Sequence, residues 1–538
     1  MQPVLNIDDV KRVEVALTRE GVSVAELMHR AGFAAAREAL EFGGADNVVV
    51  LVGLGNNGGD GWVAAEALHE RGVNVTVSSP IEPDALSGDL ARQVAQSAVR
   101  AGVSVLVGPS RDELEALLDT ADVVLDCMFG TGFHGEVRPP FDIWIECVNA
   151  CPARVVSVDV PSGLSAETGR AEGACVVADM TVTMLSLKPG LLADDGRDVC
   201  GAIVVAPLAE QTERLVVDED PVAWRTDLAD YLDALVPRTS AVDKYARGSV
   251  LVVGGSRRYP GAAIMAARAA ARMGAGYVTL AMPASAAAVA QTHLLEIPVV
   301  PLPEDANGTF TAQAVDVVRK LAERSSAVLV GPGMRVGGGP SALVSALLEC
   351  DAPLVVDADG LNCLARLTSG GLQNYPEVIR RSAPLVLTPH RGELGRLVGR
   401  SAADAPASLV EQLSAAREIV WSDGGSDLVV VTKGTATGCV SVEKAVLPKP
   451  GPAALATAGS GDVLAGMMVS ALAQHHGEDV DLTLLAAYVC EVHAYAGSLA
   501  VERVGSRAVM AGDVIDVIGI ASDAVDEHVA YPDDSPER

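Results

Sequence analysis

Short runs of β-branched residues alternate with helix-patterned segments along most of the chain, and no other feature constrains its fold as tightly. Apolar runs at residues 48–52, 73–77, 123–125, 155–158 and 202–205 read as buried strands, and residues 62–71 read as a helix stopped by Gly72. A second series follows at 250–253, 277–281, 327–330, 354–356, 385–387 and 428–431, each run leading into a loop that contains Gly or Asp. Strands of this kind need helices on both faces, so an α/β protein with parallel sheets is expected. With 538 residues the chain is too long for one core. Residues 208–246 hold Glu210, Glu213, Arg214, Asp218, Glu219 and Asp220 but no strong strand, which sets the boundary there. The expected organisation is a first domain at 1–215, a linker at 216–240, a second domain at 241–522 and a frayed acidic tail at 523–538.

Charge narrows the function. Lys plus Arg is 40 against 70 Asp plus Glu, a formal −30 that repels phosphate backbones and anionic lipid, so neither nucleic acid nor a membrane surface is an expected partner. Only seven of the basic residues are lysine; that surface suits high salt, and a GC-rich genome would deplete lysine equally. Nine cysteines lie scattered without any C-x-x-C, which points to reduced thiols in a cytoplasmic setting rather than to a disulfide frame or zinc site. Asp8, Asp9, Lys11, Arg12 and Glu14 interrupt the first residues, so no signal peptide is expected. No run reaches the roughly 18 apolar residues of a membrane span; Arg268 and Arg272 cut even the alanine-rich 262–276.

Gly53-Leu54-Gly55-Asn56-Asn57-Gly58-Gly59-Asp60-Gly61 reads as a loop between a strand and a helix, where backbone N–H groups and the helix dipole would receive a phosphate. Gly53, Gly55 and Gly58 have dinucleotide-fingerprint spacing. The next strand, however, ends Val77-Ser78-Ser79-Pro80 with no carboxylate for a ribose, which disfavours a nicotinamide dehydrogenase. A tight Asn/Gly turn is the plainer reading. Two further strand ends converge on the same crevice in a parallel sheet: Asp126-Cys127-Met128-Phe129-Gly130-Thr131-Gly132-Phe133-His134-Gly135 and Asp159-Val160-Pro161-Ser162-Gly163. Asn57, Asp126 and Ser162 offer oxygen ligands to a hard cation, and Asp159 and His134 offer proton transfer; either aspartate alone could equally be a turn former.

In the second half, Gly254-Gly255-Ser256 precedes a small-residue helix opened by Tyr259-Pro260-Gly261-Ala262-Ala263. The same edge collects Gly331-Pro332-Gly333, Asp357-Ala358-Asp359-Gly360-Leu361-Asn362, Thr388-Pro389-His390-Arg391-Gly392-Glu393 and Lys433-Gly434-Thr435-Ala436-Thr437. There is no Walker A sequence. Ala458-Gly459-Ser460-Gly461-Asp462-Val463-Leu464-Ala465-Gly466 runs from a glycine turn into a helix ending near Gln474. Its glycines can aim consecutive N–H groups at one oxyanion, and Asp462 stands within reach of a hydroxyl proton, the two needs of phosphoryl transfer. An N-cap alone would account for Asp462 and one glycine.

Together the NNGGDG run, the DxxFGTG-like run at 126–132 and the DVPSG run at 159–163 resemble the epimerase half of the NAD(P)H-hydrate repair enzymes, a Rossmann-like three-layer sandwich. The resemblance implies potassium at Asn57, Asp126 and Ser162. It also implies substrate contacts from Asn56, Asn57, Gly58, Gly59 and Asp60 and from Gly130, Thr131, Gly132, Phe133, His134, Gly135 and Glu136, with Asp159 as substrate-binding and acid/base residue. Some relatives carry lysine where this chain has His134, the second catalytic candidate. Lys188-Pro189-Gly190-Leu191 also fits the family, and equally fits a structural turn. The segment around Asp462 resembles the GxGD anion hole of ribokinase-like kinases. With TPHRGE, KGTAT and DADGLN it is similar to the ADP-dependent NAD(P)H-hydrate dehydratases. That likeness gives the nucleotide to Lys433, Gly434, Thr435, Ala436, Thr437 and Gly461, and the hydrated nicotinamide to Ala262 or Ala263, Gly333, His390 and the catalytic Asp462. Arg391 stands where many relatives have proline.

What the resemblance implies is a bifunctional enzyme, isomerase and lyase. Its substrate is NADH or NADPH that has added water at C6 as R and S epimers; the first domain would epimerise through a ring-nitrogen cation with Asp159 carrying the proton. The second would phosphorylate the S epimer's hydroxyl with ADP, magnesium bridging the phosphates, and eliminate phosphate. Hydroxide is a poor leaving group at neutral pH, which is why a phosphate ester is needed. The competing reading is a ribokinase-like kinase of a small alcohol such as a vitamin precursor, fused to a non-catalytic nucleotide-binding module. Self-association is left open.

Overall fold

Strings of valine and leucine with no polar side chain to turn toward water make stable strands only when both sheet faces are covered. The computed structural model describes the chain except residues 44–45, 235–243, 245, 369, 376–378, 382, 423–426 and 531–538. It divides into two compact units, Gln2–Ala223 and a second formed by Trp224–Ala407 and Glu411–Arg538.

The first unit carries helices α1 (Ile7–Arg19), α2 (Val24–Gly43) and α3 (Asn56–Glu70). Its strands are β1 (Asn47–Val52), β2 (Asn74–Ser79), β3 (Ser104–Val107), β4 (Val123–Cys127), β5 (Arg154–Val158), β6 (Met180–Met184) and β7 (Ala202–Ala206). All pairs are parallel, in the order β3-β2-β1-β4-β5-β6-β7. Side chains alternate across the sheet as the strand pleat requires. Val48, Val50 and Val52 pack with Ala31, Ala35 and Trp62 under α2 and α3, while Val49 and Leu51 pack with Trp144 and Ile145 on the other face. This is the three-layer sandwich anticipated from the strand runs. Two strands, β3 and β6, lie outside the runs read from the sequence. β6 is Met-Thr-Val-Thr-Met, and its buried Thr181 and Thr183 spend their hydroxyls internally, Thr181 Oγ1 donating to Cys200 O at 2.7 Å.

In the second unit the strands are β8 (Ala223–Arg225), β9 (Ser249–Val253), β10 (Tyr277–Pro283), β11 (Val299–Leu302), β12 (Ala327–Val330), β13 (Leu354–Val356), β14 (Leu385–Leu387), β15 (Leu428–Thr432), β16 (Gly438–Val440) and β17 (Ala445–Leu447). They lie in the order β8-β17-β16-β15-β14-β13-β12-β9-β10-β11, parallel except around β16. Helices α4 (Pro260–Arg272), α6 (Ser460–Gln474), α7 (Leu482–Val504) and α8 (Ala511–Ala530) build the core on one face; the short α5 (Arg391–Leu397) follows β14. Among the described residues α7 is the one helix long and apolar enough to cross a membrane, and 78% of its apolar window is buried inside the unit. All nine cysteines are free thiols.

Three expectations need correction. The helix read at 62–71 begins at Asn56, so NNGGDG forms its first turns and not a loop. Within the expected linker, β8 pairs with β17, Trp224 opposite Val446 and Arg225 opposite Leu447, a strand of three residues being too short to stand out as an apolar run; the linker's residues 235–240 lie outside the described ones. The tail is not frayed at 523–530: α8 runs through it, burying Val525, with Tyr488 Oη donating to Asp526 at 2.6 Å. Residues 531–538 lie outside the described residues.

Glycine spacing at the start of α3 answers to packing. A Cβ on Gly53 would lie 1.8 Å from Met128 O, and one on Gly58 2.1 Å from Gly53 O. Gly53→Ala should therefore destabilise the first unit by about 2–4 kcal/mol through forced backbone displacement. Urea unfolding followed by a probe in that unit checks this; a loss under half a kcal/mol, roughly the size of a neutral surface change, contradicts it.

Candidate active sites

In an open parallel sheet the crevice for a ligand opens where strand order reverses, outside the carboxyl ends. In the first unit that point lies between β1 and β4, and side chains from the ends of β1, β4, β5 and β6 meet there. Asp126, the fourth residue of β4, is fully buried. Its Oδ2 accepts from Ser157 Oγ and Ser162 N, both at 2.8 Å, and its Oδ1 from Ser162 Oγ at 2.5 Å and Met128 N at 3.3 Å. Burial raises its pKa, and the serine and backbone donors oppose that rise. Asn57, on the first turn of α3, donates through Nδ2 to Phe129 O at 2.9 Å and Val158 O at 3.1 Å, which leaves Oδ1 buried with no hydrogen-bond partner.

Asp159, just past β5, holds the left-handed backbone φ of +71°. Its Oδ2 accepts from Thr131 N at 3.0 Å and its Oδ1 from Lys188 Nζ at 2.8 Å. Lys188 has no exposed surface; its ammonium also donates to Thr183 Oγ1 and Met184 O, both at 2.7 Å. Burial pulls Asp159's pKa up, but Lys188 and the backbone donors of Thr131 and Met184 outweigh it and hold the carboxyl below its ordinary value. Asp60, one turn beyond Asn57, is driven the other way: burial, then the negative charges of Asp159 and Glu14, lift it well above the usual carboxylate range.

The structure therefore gathers Asn57, Asp126 and Ser162 on one side and Asp60, Thr131 and Asp159 on the other, with Gly130 between. A Cβ on Gly130 would lie 2.9 Å from Asp159 Oδ2 and 3.4 Å from Asn57 Cβ. Gly58 and Gly59 are buried in the packing beneath, and Asn56 is exposed at the helix start. Phe133 stacks on Phe129 with ring centroids 4.9 Å apart. Gly132, His134, Gly135 and Glu136 are exposed on the loop after β4, and no hydrogen bond joins His134 to Asp159. Lys188, which residue type left undecided between site and turn, is instead Asp159's ion-pair partner.

In the second unit the order reverses between β9 and β12, and α6 begins at the same edge. Gly459 caps α6 at φ +93°, a conformation open to glycine, and Ser460 Oγ sits 3.3 Å from Nε2 of His493, whose pKa burial pushes down to about 4. Lys433, after β15, reaches Asp357 Oδ1 at 2.6 Å, and Thr388 Oγ1 donates to the same oxygen at 2.7 Å. Gly461 is beside that ammonium, a Cβ there lying 3.4 Å from Lys433 Nζ. Asp462 is raised to about 7 by burial and then Asp357, with Lys433 opposing. Glu393 is likewise raised to about 7 by burial, against Lys433.

His390 caps α5: its Nδ1 accepts from Gly392 N at 3.0 Å, and Glu393 Oε2 accepts from His390 N at 3.0 Å in return. Burial, Lys433 and Arg396 hold its pKa below the ordinary imidazole value. Arg391 donates to Ala405 O at 3.1 Å and serves the loop that follows. Of the two candidate alanines, Ala262 is the accessible one, 3.1 Å from a Cβ placed on Gly333, while Ala263 is fully buried in the core. Gly434 and Thr435 are exposed; Ala436 is buried and Thr437 partly so. Asp357, Thr388 and Glu393 were visible in the sequence as strand-end residues but carried no role there.

Comparison with known proteins gives two family matches, one described as NAD(P)H-hydrate dehydratase over residues 250–519 and one as YjeF-related protein N-terminus over residues 24–190. The chain is 37% identical over 494 residues to the bifunctional NAD(P)H-hydrate repair enzyme Nnr of Salinibacter ruber, covering 88% of this chain and 86% of that protein. It is 32% identical over 510 residues to the protein of the same name from Coxiella burnetii, covering 94% and 96%. A solved ADP/ATP-dependent NAD(P)H-hydrate dehydratase of Bacillus subtilis, co-crystallised with ATP and Mg2+, is 23% identical and covers 55% of this chain and 96% of its own at TM-score 0.44.

A carboxyl raised to about 7 in the folded state, against about 4 unfolded, binds its proton more tightly when folded, so its stabilising protonation is lost as pH climbs through 7. Asp462→Asn removes that penalty. The variant should be more stable than the parent by about 1–3 kcal/mol at pH 8.5, with little difference at about pH 4, the unfolded-state value. Urea unfolding at the two pH values checks this.

Proposed function

The chain belongs to the bifunctional NAD(P)H-hydrate repair enzymes, and on that premise we propose that it returns hydrated NADH and NADPH to use. In this reading the first unit interconverts the R and S 6-hydroxy epimers, and the second dehydrates the S epimer with ADP, in the cytoplasm. The observation that carries the reading is Asp462, partly buried at the N-terminus of α6 with its pKa raised to about 7 by burial and Asp357. A base with that value both holds and releases a proton at neutral pH.

In the dehydratase step Asp462 takes the proton of the C6 hydroxyl. The C6 oxygen forms a bond to the terminal phosphorus of ADP, and the bond from that phosphorus to the bridging oxygen breaks, releasing AMP. The N–H groups of residues 459–461 face the transferring oxygens. Phosphate then leaves C6 with the bonding pair, the ring nitrogen supplies electrons, and loss of a C5 proton restores the dihydropyridine. In the epimerase step the C6 oxygen takes up a proton from solvent and leaves as water while the ring nitrogen supplies electrons to form the cation, and a water then adds on the other face and gives up a proton, so that none is consumed overall. Asp159 receives the proton of the incoming water, and its ion pair with Lys188 keeps it ionised for that role.

Potassium fits the first unit: Asn57 Oδ1 is a buried acceptor without a partner, next to the loops carrying Asp126 and Ser162, and these three would hold the ion. When bound it would supply positive charge that ties the ends of β1, β4 and β5 together. For magnesium, the described residues form no group of three His, Cys, Asp or Glu side chains. In our reading the divalent ion therefore comes with the nucleotide phosphates.

Purified protein given mixed hydrates and ADP should restore the absorbance of reduced nicotinamide, and Asp462→Asn should lower that rate about a hundredfold to ten-thousandfold while AMP still binds. A stable phosphorylated alcohol in place of recovered absorbance would mark a small-alcohol kinase instead. Asp126→Ala should lose a thallium anomalous signal at the first site and slow epimer exchange, whereas Asp159→Ala should keep the signal and lose exchange. Dehydration of pure S epimer should survive both. Equal loss of the ion in both variants contradicts this division.

A further inference from the structure

Lys433 belongs to the KGTAT run that the family likeness gives to the nucleotide, yet its ammonium is engaged by Asp357 on another strand end, whereas Gly434 and Thr435 are exposed. Its side chain is 20% exposed, and its ammonium binds Asp357 Oδ1 at 2.6 Å and lies 3.4 Å from a Cβ placed on Gly461, the last of the three residues whose N–H groups open α6. Two constraints hold it there. Asp357 is itself fixed by Thr388 Oγ1 on the same oxygen at 2.7 Å, and Lys433 N donates to Pro389 O at 2.9 Å, locking the ends of β15 and β14. We propose that Lys433 is a catalytic residue of the phosphoryl transfer, the fixed cation that meets the transferring group at the start of α6, and that Asp357 and Thr388 are its positioning residues. The inference rests on the dehydratase reading and adds to it.

The chemistry requires such a charge. Three non-bridging oxygens must pass between the leaving nucleotide and the acceptor hydroxyl within reach of Asp357, Glu393 and Asp462, which are repulsive when ionised. Backbone N–H groups offer partial charges only, and partly buried Lys433 offers a whole one. As the phosphorus–oxygen bond to the nucleotide breaks and that to the C6 oxygen forms, the ammonium stays bound to Asp357 through one proton and presents others to the moving oxygens. No proton leaves Lys433; Asp462 alone takes the hydroxyl proton. Asp357 has a restraining role as well, since a lysine stem released from it would be free to follow the nucleotide instead of holding the transition-state position.

Three variants, Lys433→Ala, Asp357→Asn and Thr388→Val, separate a catalytic cation from a wall of the nucleotide site. Lys433→Ala is expected to lower kcat for S-hydrate dehydration at least a hundredfold while the Kd for AMP rises less than tenfold, and added alkylammonium ions should restore part of kcat. Asp357→Asn and Thr388→Val, which keep the lysine, should lower kcat more than they raise KM for ADP. A readout that needs no hydrate is the affinity gained when orthovanadate joins AMP: the gain should be at least tenfold in the parent and absent in Lys433→Ala. A Lys433→Ala variant with unchanged kcat and weakened AMP binding, or with the vanadate gain intact, overturns the proposal. A parent that shows the vanadate gain but never restores dihydronicotinamide keeps Lys433 in place and overturns the substrate reading alone.

Discussion

A lysine withdrawn from water keeps its charge only beside a negative partner with its remaining donors satisfied, because the unpaired ion would cost several kcal/mol. Each unit builds its site around such a pair. Lys188 has no exposed surface and meets Asp159 at 2.8 Å; Lys433 is one-fifth exposed and meets Asp357 at 2.6 Å. Both aspartates stand just beyond the carboxyl end of a parallel strand near the point where strand order reverses. The pairs do different work. In the first unit the three ammonium donors of Lys188 go to Asp159, Thr183 and Met184, so the lysine aims a carboxylate and keeps it ionised. In the second, Lys433 faces the helix that would receive a phosphoryl group.

From these pairs the other carboxylates take their character. Lys188 outweighs the burial of Asp159, but Asp60 nearby has only negative neighbours and is pushed up. Around Lys433 the ion pair is spent on Asp357, so Asp462 and Glu393 stay near 7 although a cation is close. One buried cation shared among several acids sorts them into ionised and proton-holding groups, and acid/base chemistry needs both. The cost is native-state repulsion, a form of strain kept where the chemistry is and supported by the Val- and Ala-rich packing beneath.

The strand series, the α/β class and the loops that hold chemistry were legible from residue type and spacing, because a valine run buried on both faces and a glycine turn before a helix each have few structural uses. β8 and β6 were not, since a strand of only three residues and a strand with two threonines lack an apolar run. The glycines of NNGGDG were read as a phosphate cradle; in the fold Gly58 and Gly59 fit α3 against Gly53 and Met28. Composition cannot separate a glycine needed for a ligand from one needed for a neighbouring carbonyl.

What the sequence determined by itself was the set of reactive groups and the elements that carry them: Asp126, Asp159 and Asp462 follow strand or turn signals that are local. Only tertiary structure decided which groups meet. Asp159 and Lys188 are 29 residues apart, and Asp357 and Lys433 are 76 apart, so neither pair leaves any periodicity in the chain. His134, adjacent in sequence to the right loop, stands exposed, whereas Lys188 at the end of another strand holds the aspartate. The physical reason is that charge and burial act through a few ångströms of space, and a parallel sheet makes neighbours of strand ends far apart along the chain.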